Sequence, residues 1–380
     1  MGIRIGMVGL THPHAPAYLR TLDALEAVEG IVPWDPDAEA GERVLHGCRK
    51  AEGRCPDLPR LLARSDVPIV LVALPADQTP DAVAMAARAG KHIICEKPCA
   101  RSADEFRPVL AALEEYRVRF TASYLWRANP AIKHMRAWVL AGALGRLTSI
   151  ELRMVTTQVC LRDPGHWLFR REVAGGGILS WLGCHWLDVL RYLTALEMTS
   201  VSAITGTLSG EAIDVEDVAT VSFRLSGGAV GSLYAGYLLS SGKAGYEGAG
   251  YDQSIILRGT HGTLRHAKEG DDQVVTLESS AAAWRAAPHQ THRFRLPSLP
   301  AYGGAHGLAF VDDFIRLALT GEGQPLVTAQ DALRVLELLD AIYRSAQDGR
   351  LVEVPPLRGC DPAAAPDIPV PCGPGASLSV

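Results

Sequence analysis

No stretch of this chain is long and apolar enough to cross a bilayer, so no membrane span is expected. A strand pattern begins within three residues of Met1, with no basic and apolar leader before it, and no export signal is expected. Neither sign of charge dominates. The 37 basic and 42 acidic residues leave a formal charge of -5, which removes the electrostatic ground for a nucleic-acid partner. Cysteine is sparse: 8 in 380 residues, none in a C-x-x-C pair. That excludes a disulfide scaffold and suits reduced thiols in a cytoplasmic protein. Cys95 and Cys99 flank one turn but lack companions at metal-ligand spacing, so no metal is expected. Short repeats are also missing. What remains is ordinary globular material, 48% hydrophobic and 21% charged, with enough chain for two domains.

In the first part of the chain, short apolar strands alternate with helical runs. Strands are expected at 3–8, 30–34, 68–74, 92–95 and 117–122, with helices at 15–25, 81–89 and 102–115. That alternation predicts a mostly parallel sheet covered on both faces, with ligands beyond the strand C-termini. After the first strand, Gly9-Leu10-Thr11-His12-Pro13-His14 has the position of a phosphate-binding turn. It keeps one of the three usual glycines, because Thr11 and His14 occupy the other two places. Thr11 can offer a hydroxyl to phosphate, and His12 or His14 can line the approach. Asp35 closes the second strand at the separation suited to ribose hydroxyls, and a carboxylate there favours NAD over NADP. Leu74 and Pro75 end the third strand at the same edge. Glu96-Lys97-Pro98 ends a later one, where Lys97 can place a cation near a substrate oxygen and Glu96 can meet the cofactor ribose. The expected cofactor set is therefore Gly9, Leu10, Thr11, His12, Asp35, Leu74, Pro75, Glu96, Lys97 and Arg127. For Arg127 an interdomain ion pair is the competing role.

The rest of the chain reads differently. A helix at 129–140 is followed by closely spaced strands at 147–156, 201–208, 218–225, 229–238, 254–257 and 263–266, which predicts a largely antiparallel sheet. Helices at 305–319 and 329–344 close the domain. Gly175-Gly176-Gly177 precedes a helix over 180–193 that carries Trp181, His185, Trp186 and Asp188. Residues four apart share a helix face, so Trp181 and His185 are expected to point together. His185 changes protonation near neutral pH and can accept a proton. His166 and Trp167, just upstream, suit a pocket edge, with Trp167 stacking on a sugar or nicotinamide ring. Residues 239–251 are rich in glycine and expected to be mobile. Residues 355–380 form a proline-rich tail.

The ordered set Ala89-Gly90-Lys91-His92-Ile93-Ile94-Cys95-Glu96-Lys97-Pro98, Arg127 with Pro130, Gly142, Gly145, Gly175-Gly176-Gly177 and Gly183-Cys184-His185-Trp186-Leu187-Asp188 resembles the glucose-fructose oxidoreductase and inositol dehydrogenase family. The likeness runs from about Ile3 to Val354. It implies an α/β Rossmann domain over 1–124, then an α+β domain over 125–354 with a large open, mostly antiparallel sheet that also forms the subunit interface of a homodimer or homotetramer. It further implies NAD or NADP as cofactor, a sugar, polyol or related substrate, Lys97 and His185 as active-site groups, and Glu96 on the cofactor side. Many polyol dehydrogenases of that family carry an aspartate four residues before the histidine; here that residue is Trp181, which cannot titrate. The expected substrate-binding set is His166, Trp167, Trp181 and His185. The expected activity is hydride exchange with a hydroxyl-bearing carbon. The alternatives are a redox-neutral sugar-modifying cycle with retained NAD, and a nucleotide-binding regulator with a degenerate pocket.

Overall fold

The structure, a computed structural model, describes residues 2–240 and 250–356. The glycine-rich segment and the proline-rich tail singled out above lie largely outside them. The first domain begins β1 (Ile3–Val8), α1 (Ala15–Ala24), β2 (Val28–Trp34), α2 (Ala38–Leu45), α3 (Leu58–Ala63) and β3 (Ile69–Val72). It continues with α4 (Thr79–Arg88), β4 (His92–Cys95), α5 (Ala103–Glu115) and β5 (Phe120–Ala122). The five strands are all parallel, in the order β2-β1-β3-β4-β5. Every residue of β3 is buried, which is what helices on both faces of a sheet require. The sequence places β1 and β4 to the residue. It does not announce α2 and α3, which fill the link between β2 and β3.

Chain order changes past α6 (Pro130–Leu140). The long β6 (Leu147–Thr157) leads to the one-turn α7 (Arg171–Ala174), α8 (Cys184–Thr194), β7 (Met198–Gly206), β8 (Val218–Leu225) and β9 (Val230–Leu239). Then come β10 (Tyr251–Gly259), β11 (Gly262–Glu269), β12 (Asp272–Ser279), β13 (His289–Arg295), α9 (Gly304–Thr320), α10 (Ala329–Asp348) and β14 (Val352–Glu353). A nine-stranded sheet results, ordered β13-β12-β11-β10-β6-β9-β8-β7-β14. Only the β6–β9 pair in it is parallel. The fold class expected from the sequence is the one observed. Strict alternation in β8, where Ala219, Val221, Phe223 and Leu225 are buried and Thr220, Ser222 and Arg224 between them exposed, shows one face packed and the other open. The packed face carries α10, on which α8 lies, and α10 also touches α5 of the first domain.

One connected ion-pair network holds the helical layer. Arg127, expected to contact the cofactor, lies between α8 and α10 instead. It donates to both oxygens of Asp188, to Asp331 and to the Leu326 carbonyl. With Asp188 fully buried, this guanidinium is the cation that makes the burial tolerable, and it is spent on the fold. Arg191 and Arg334 extend the arrangement through Glu197 and Asp331.

Candidate active site

The turn after β1 is shaped by Gly9, at φ +97°, a conformation other residues avoid. A Cβ there would sit 2.1 Å from the Ala73 carbonyl oxygen, so β1 and β3 approach at this point because no side chain separates them. The amides of Leu10 and Thr11 both donate to Asp35, as does the Thr11 hydroxyl at 3.2 Å. The other Asp35 oxygen accepts from the Asp37 amide at 2.7 Å, and the residue is fully buried. The expectation that Asp35 reaches out to a ribose is therefore corrected. It braces the turn, because a carboxylate beside free amides takes them itself. One buried carboxylate oxygen left without a donor belongs to Asp77, just after Leu74 and Pro75. Burial raises the Asp77 carboxyl above its ordinary range. Asp77 thus offers an unmet acceptor just past the end of β3, and the sequence alone does not single it out.

Deeper in, Glu96 is the hub. It accepts from the Tyr18 hydroxyl, from His14 Nδ1 at 3.0 Å and from the Tyr302 hydroxyl at 3.4 Å. Lys97 Nζ lies 3.6 Å away, donates to the Trp181 carbonyl at 2.8 Å, and sits 3.7 Å from the centre of the Trp181 ring. Atoms of His12, His14 and Glu96 come within 4.8 Å of one another, close enough for a metal ion. The Lys97 ammonium already balances Glu96, so a dication would meet repulsion, and we read the trio as hydrogen-bonded side chains. His12 is buried against Trp167 and Trp181, with ring centroids 5.5 and 5.6 Å away, and its Nδ1 accepts from the His14 amide.

The segment carrying His185 owes its path to Gly177. A Cβ there would fall 1.9 Å from the Glu216 carbonyl oxygen. The Glu216 side chain accepts from the Gly177 and Leu179 amides at 2.9 and 3.0 Å, and from the Tyr343 hydroxyl at 2.9 Å. Glu216 thus caps the helix start, a role invisible in sequence because it comes from a residue far down the chain. Gly177→Ala is expected to cost about 1–3 kcal/mol through overpacking and to lower activity with it; thermal unfolding of the variant reads the first effect. Residues Leu179–Gly183 form a π-helical turn before α8 starts at Cys184. The four-residue spacing from Trp181 to His185 is therefore not the α spacing assumed from the sequence. Trp181 turns onto Lys97 and His14, its ring 4.7 Å from that of His14. His185 instead lines a cavity of about 410 Å³, together with His14, Tyr302 and residues of β10, β11 and β12. Such a volume suits one small ligand.

His185 Nδ1 is buried with no partner. Burial holds the imidazole well below the ordinary histidine range, and the charges of Lys97 and His14 push it further down. His14 and His185 line the same cavity, and the Trp181 ring that packs on His14 lies 3.7 Å from Lys97 Nζ. Of the residues expected to bind substrate, only His185 lines the cavity. Trp181 covers Lys97, Trp167 packs on His12, and His166 Nδ1 accepts the Leu168 amide at 3.3 Å, which caps a short turn.

Burial is the main cause that depresses His12, His14 and His185 alike. The unfolded chain takes up those protons near pH 6.5, whereas the folded chain resists them to lower pH. Their neutral form therefore favours folding above that point, and the advantage is lost as pH falls below it. The midpoint of thermal unfolding should drop by several degrees between pH 7.5 and 5.5. A flat or rising midpoint would mean that these rings are solvated.

Known proteins place this arrangement. Residues 3–124 match the oxidoreductase family with an NAD-binding Rossmann fold, and residues 132–265 match the GFO/IDH/MocA C-terminal domain. The levoglucosan dehydrogenase of Pseudarthrobacter phenanthrenivorans is 27% identical over 93% of this chain and 97% of its own length. The inositol 2-dehydrogenase of Rhizobium meliloti is 28% identical over 93% of this chain and 100% of its own. An oxidoreductase domain protein from Kribbella flavida shares the fold at a TM-score of 0.81, with 22% identity over 93% of this chain and 100% of the other. With both domain families matched in order, this chain belongs to the GFO/IDH/MocA family of NAD-dependent oxidoreductases.

Proposed function

We propose that this protein exchanges a hydride between NAD and a hydroxyl-bearing carbon of a sugar, polyol or sugar derivative. The reading is carried by one observation: the unpartnered His185 imidazole lines a cavity with His14, whose partner Glu96 lies 3.6 Å from the Lys97 ammonium after β4 of the Rossmann sheet. The Gly9 turn, Asp77, Leu74, Pro75 and Glu96 would hold the dinucleotide, which supplies the hydride acceptor when bound. Asp35 and Asp37 make the end of β2 electronegative, which favours NAD over NADP. Held neutral, His185 is ready to take a hydroxyl proton at pH 7. Lys97 would stabilise negative charge on the same oxygen once it leaves the Trp181 carbonyl. The names of the levoglucosan and inositol relatives support the choice of substrate class.

The direct test incubates the full chain with NAD or NADP and a panel of sugars, polyols and sugar acids, following NADH absorbance and product mass together. The expected result is reduction of NAD, with NADP slower. A mass change without NADH would indicate the redox-neutral cycle. A regulator that only binds the dinucleotide is favoured by one feature, the cap of Trp181 over Lys97. Binding of NAD without turnover of any panel member would establish that reading instead. We further propose a cytoplasmic homodimer or homotetramer joined through the open sheet face, where Ile204, Val230 and Tyr234 are exposed. Light scattering on the purified protein reads the assembly.

A further inference from the structure

The wall of the cavity opposite α8 is built by neighbouring strands of the large sheet. Strand register sets Met154 of β6 across from Gln253 of β10. Ser254 faces Ala267, which brings Gln253 level with Lys268 of β11, and Lys268 in turn faces Gln273 of β12. Met154, Gln253, Lys268 and Gln273 thus form one row across four strands, and all four line the cavity with His185. Gln253 is buried, while Lys268 stands at the exposed mouth.

The charge balance of this row is one-sided. No aspartate or glutamate is among the residues that line the cavity. Along the hairpin Glu269 pairs with Arg293 at 2.8 Å and Asp272 with Arg295 at 2.7 Å, while Asp271 stands in the exposed turn between the two strands. Among the described residues Lys268 has no counter-ion. Two further lining residues, His185 and His306, each hold a buried Nδ1 without a partner, which also calls for a polar ligand. One ammonium between two carboxamides suits a monoanion. A phosphate dianion is usually met by arginine forks or several cations, and no arginine lines the cavity.

We propose that the cavity takes a sugar acid, an aldonate or uronate, whose carboxylate is held by Lys268, Gln253 and Gln273 while one of its hydroxyls faces His185. This proposal rests on the hydride-transfer reading of the same site. The test separates the two by measuring binding apart from turnover. Gluconate, glucuronate, glucose and glucose 6-phosphate are titrated into the full chain by calorimetry, with and without NAD, and each is then assayed for NADH. The acids should bind at least about tenfold more tightly than glucose. In Lys268→Met the ratio of acid to neutral-sugar affinity should fall about tenfold, and Lys268→Arg should restore part of it. Acids that bind no better than glucose, a ratio unmoved in Lys268→Met, or tightest binding by glucose 6-phosphate would each overturn the proposal, even if neutral sugars yield NADH. Tight, Lys268-dependent binding of an acid that gives no turnover would support the carboxylate site and remove the hydride-transfer reading instead.

Discussion

Lys97→Met should lower kcat by roughly 10³-fold, with KM changed far less. The ammonium, 3.6 Å from Glu96, is the cation at this junction that can meet negative charge on a substrate oxygen. The other donors to Glu96, from Tyr18, His14 and Tyr302, remain in the variant and keep that carboxylate satisfied. The variant should therefore fold, and a thermal midpoint close to that of the parent is part of the expected result. Lys97→Arg should fail as well, since a planar fork cannot occupy a site shaped for a compact ammonium above an indole ring. His185→Gln should show a similar fall. The double variant should lose little more than either single one, because the two groups act on one oxygen. Activity of Lys97→Met within about fivefold of the parent, on a substrate that the parent turns over, would remove the ammonium from the chemistry.

Arg127→Leu should destabilise the protein by about 3–5 kcal/mol, which for a domain of this size lowers the thermal midpoint by about 10 °C. The loss comes from leaving Asp188 charged, fully buried and without its bidentate donor. Adding Asp188→Leu should recover at least half of it, because two apolar side chains replace a buried pair more easily than one does. A cofactor role would leave a different trace: an unchanged midpoint together with lost NAD affinity. The double variant separates the two, since pairing Arg127 with Asp188 predicts rescue and cofactor binding predicts none.

The legible parts of the chain are those whose physics is local. β1, β4 and β8 stand out because an apolar or alternating run is bounded by turn residues. Lys97 is recognisable because a strand ends at it, and Gly177 because three glycines in a row need a reason. β13 escaped notice since almost all its side chains are exposed and leave no period of two. α3 is six residues long and relies on the Asp57 cap. The partly read site has the same cause. Glu216 acts on Gly177 across 39 residues, and Arg127 on Asp188 across 61. Nothing in sequence shows that the turn amides claim Asp35. A common face for Trp181 and His185 needs α-helical spacing, which the π turn between them does not keep. The row from Gln253 to Gln273 exists only in the register of paired strands.

The two ends of the large sheet are finished differently. At one end the two residues of β14 pair with Val201 and Ser200 of β7. The other ends on β13, where Arg293 and Arg295 take salt bridges back to Glu269 and Asp272. One border is thus roofed by the chain's own return, and the other bristles with guanidinium groups that a foreign strand would have to displace. Unwanted growth by strand addition is discouraged on both flanks.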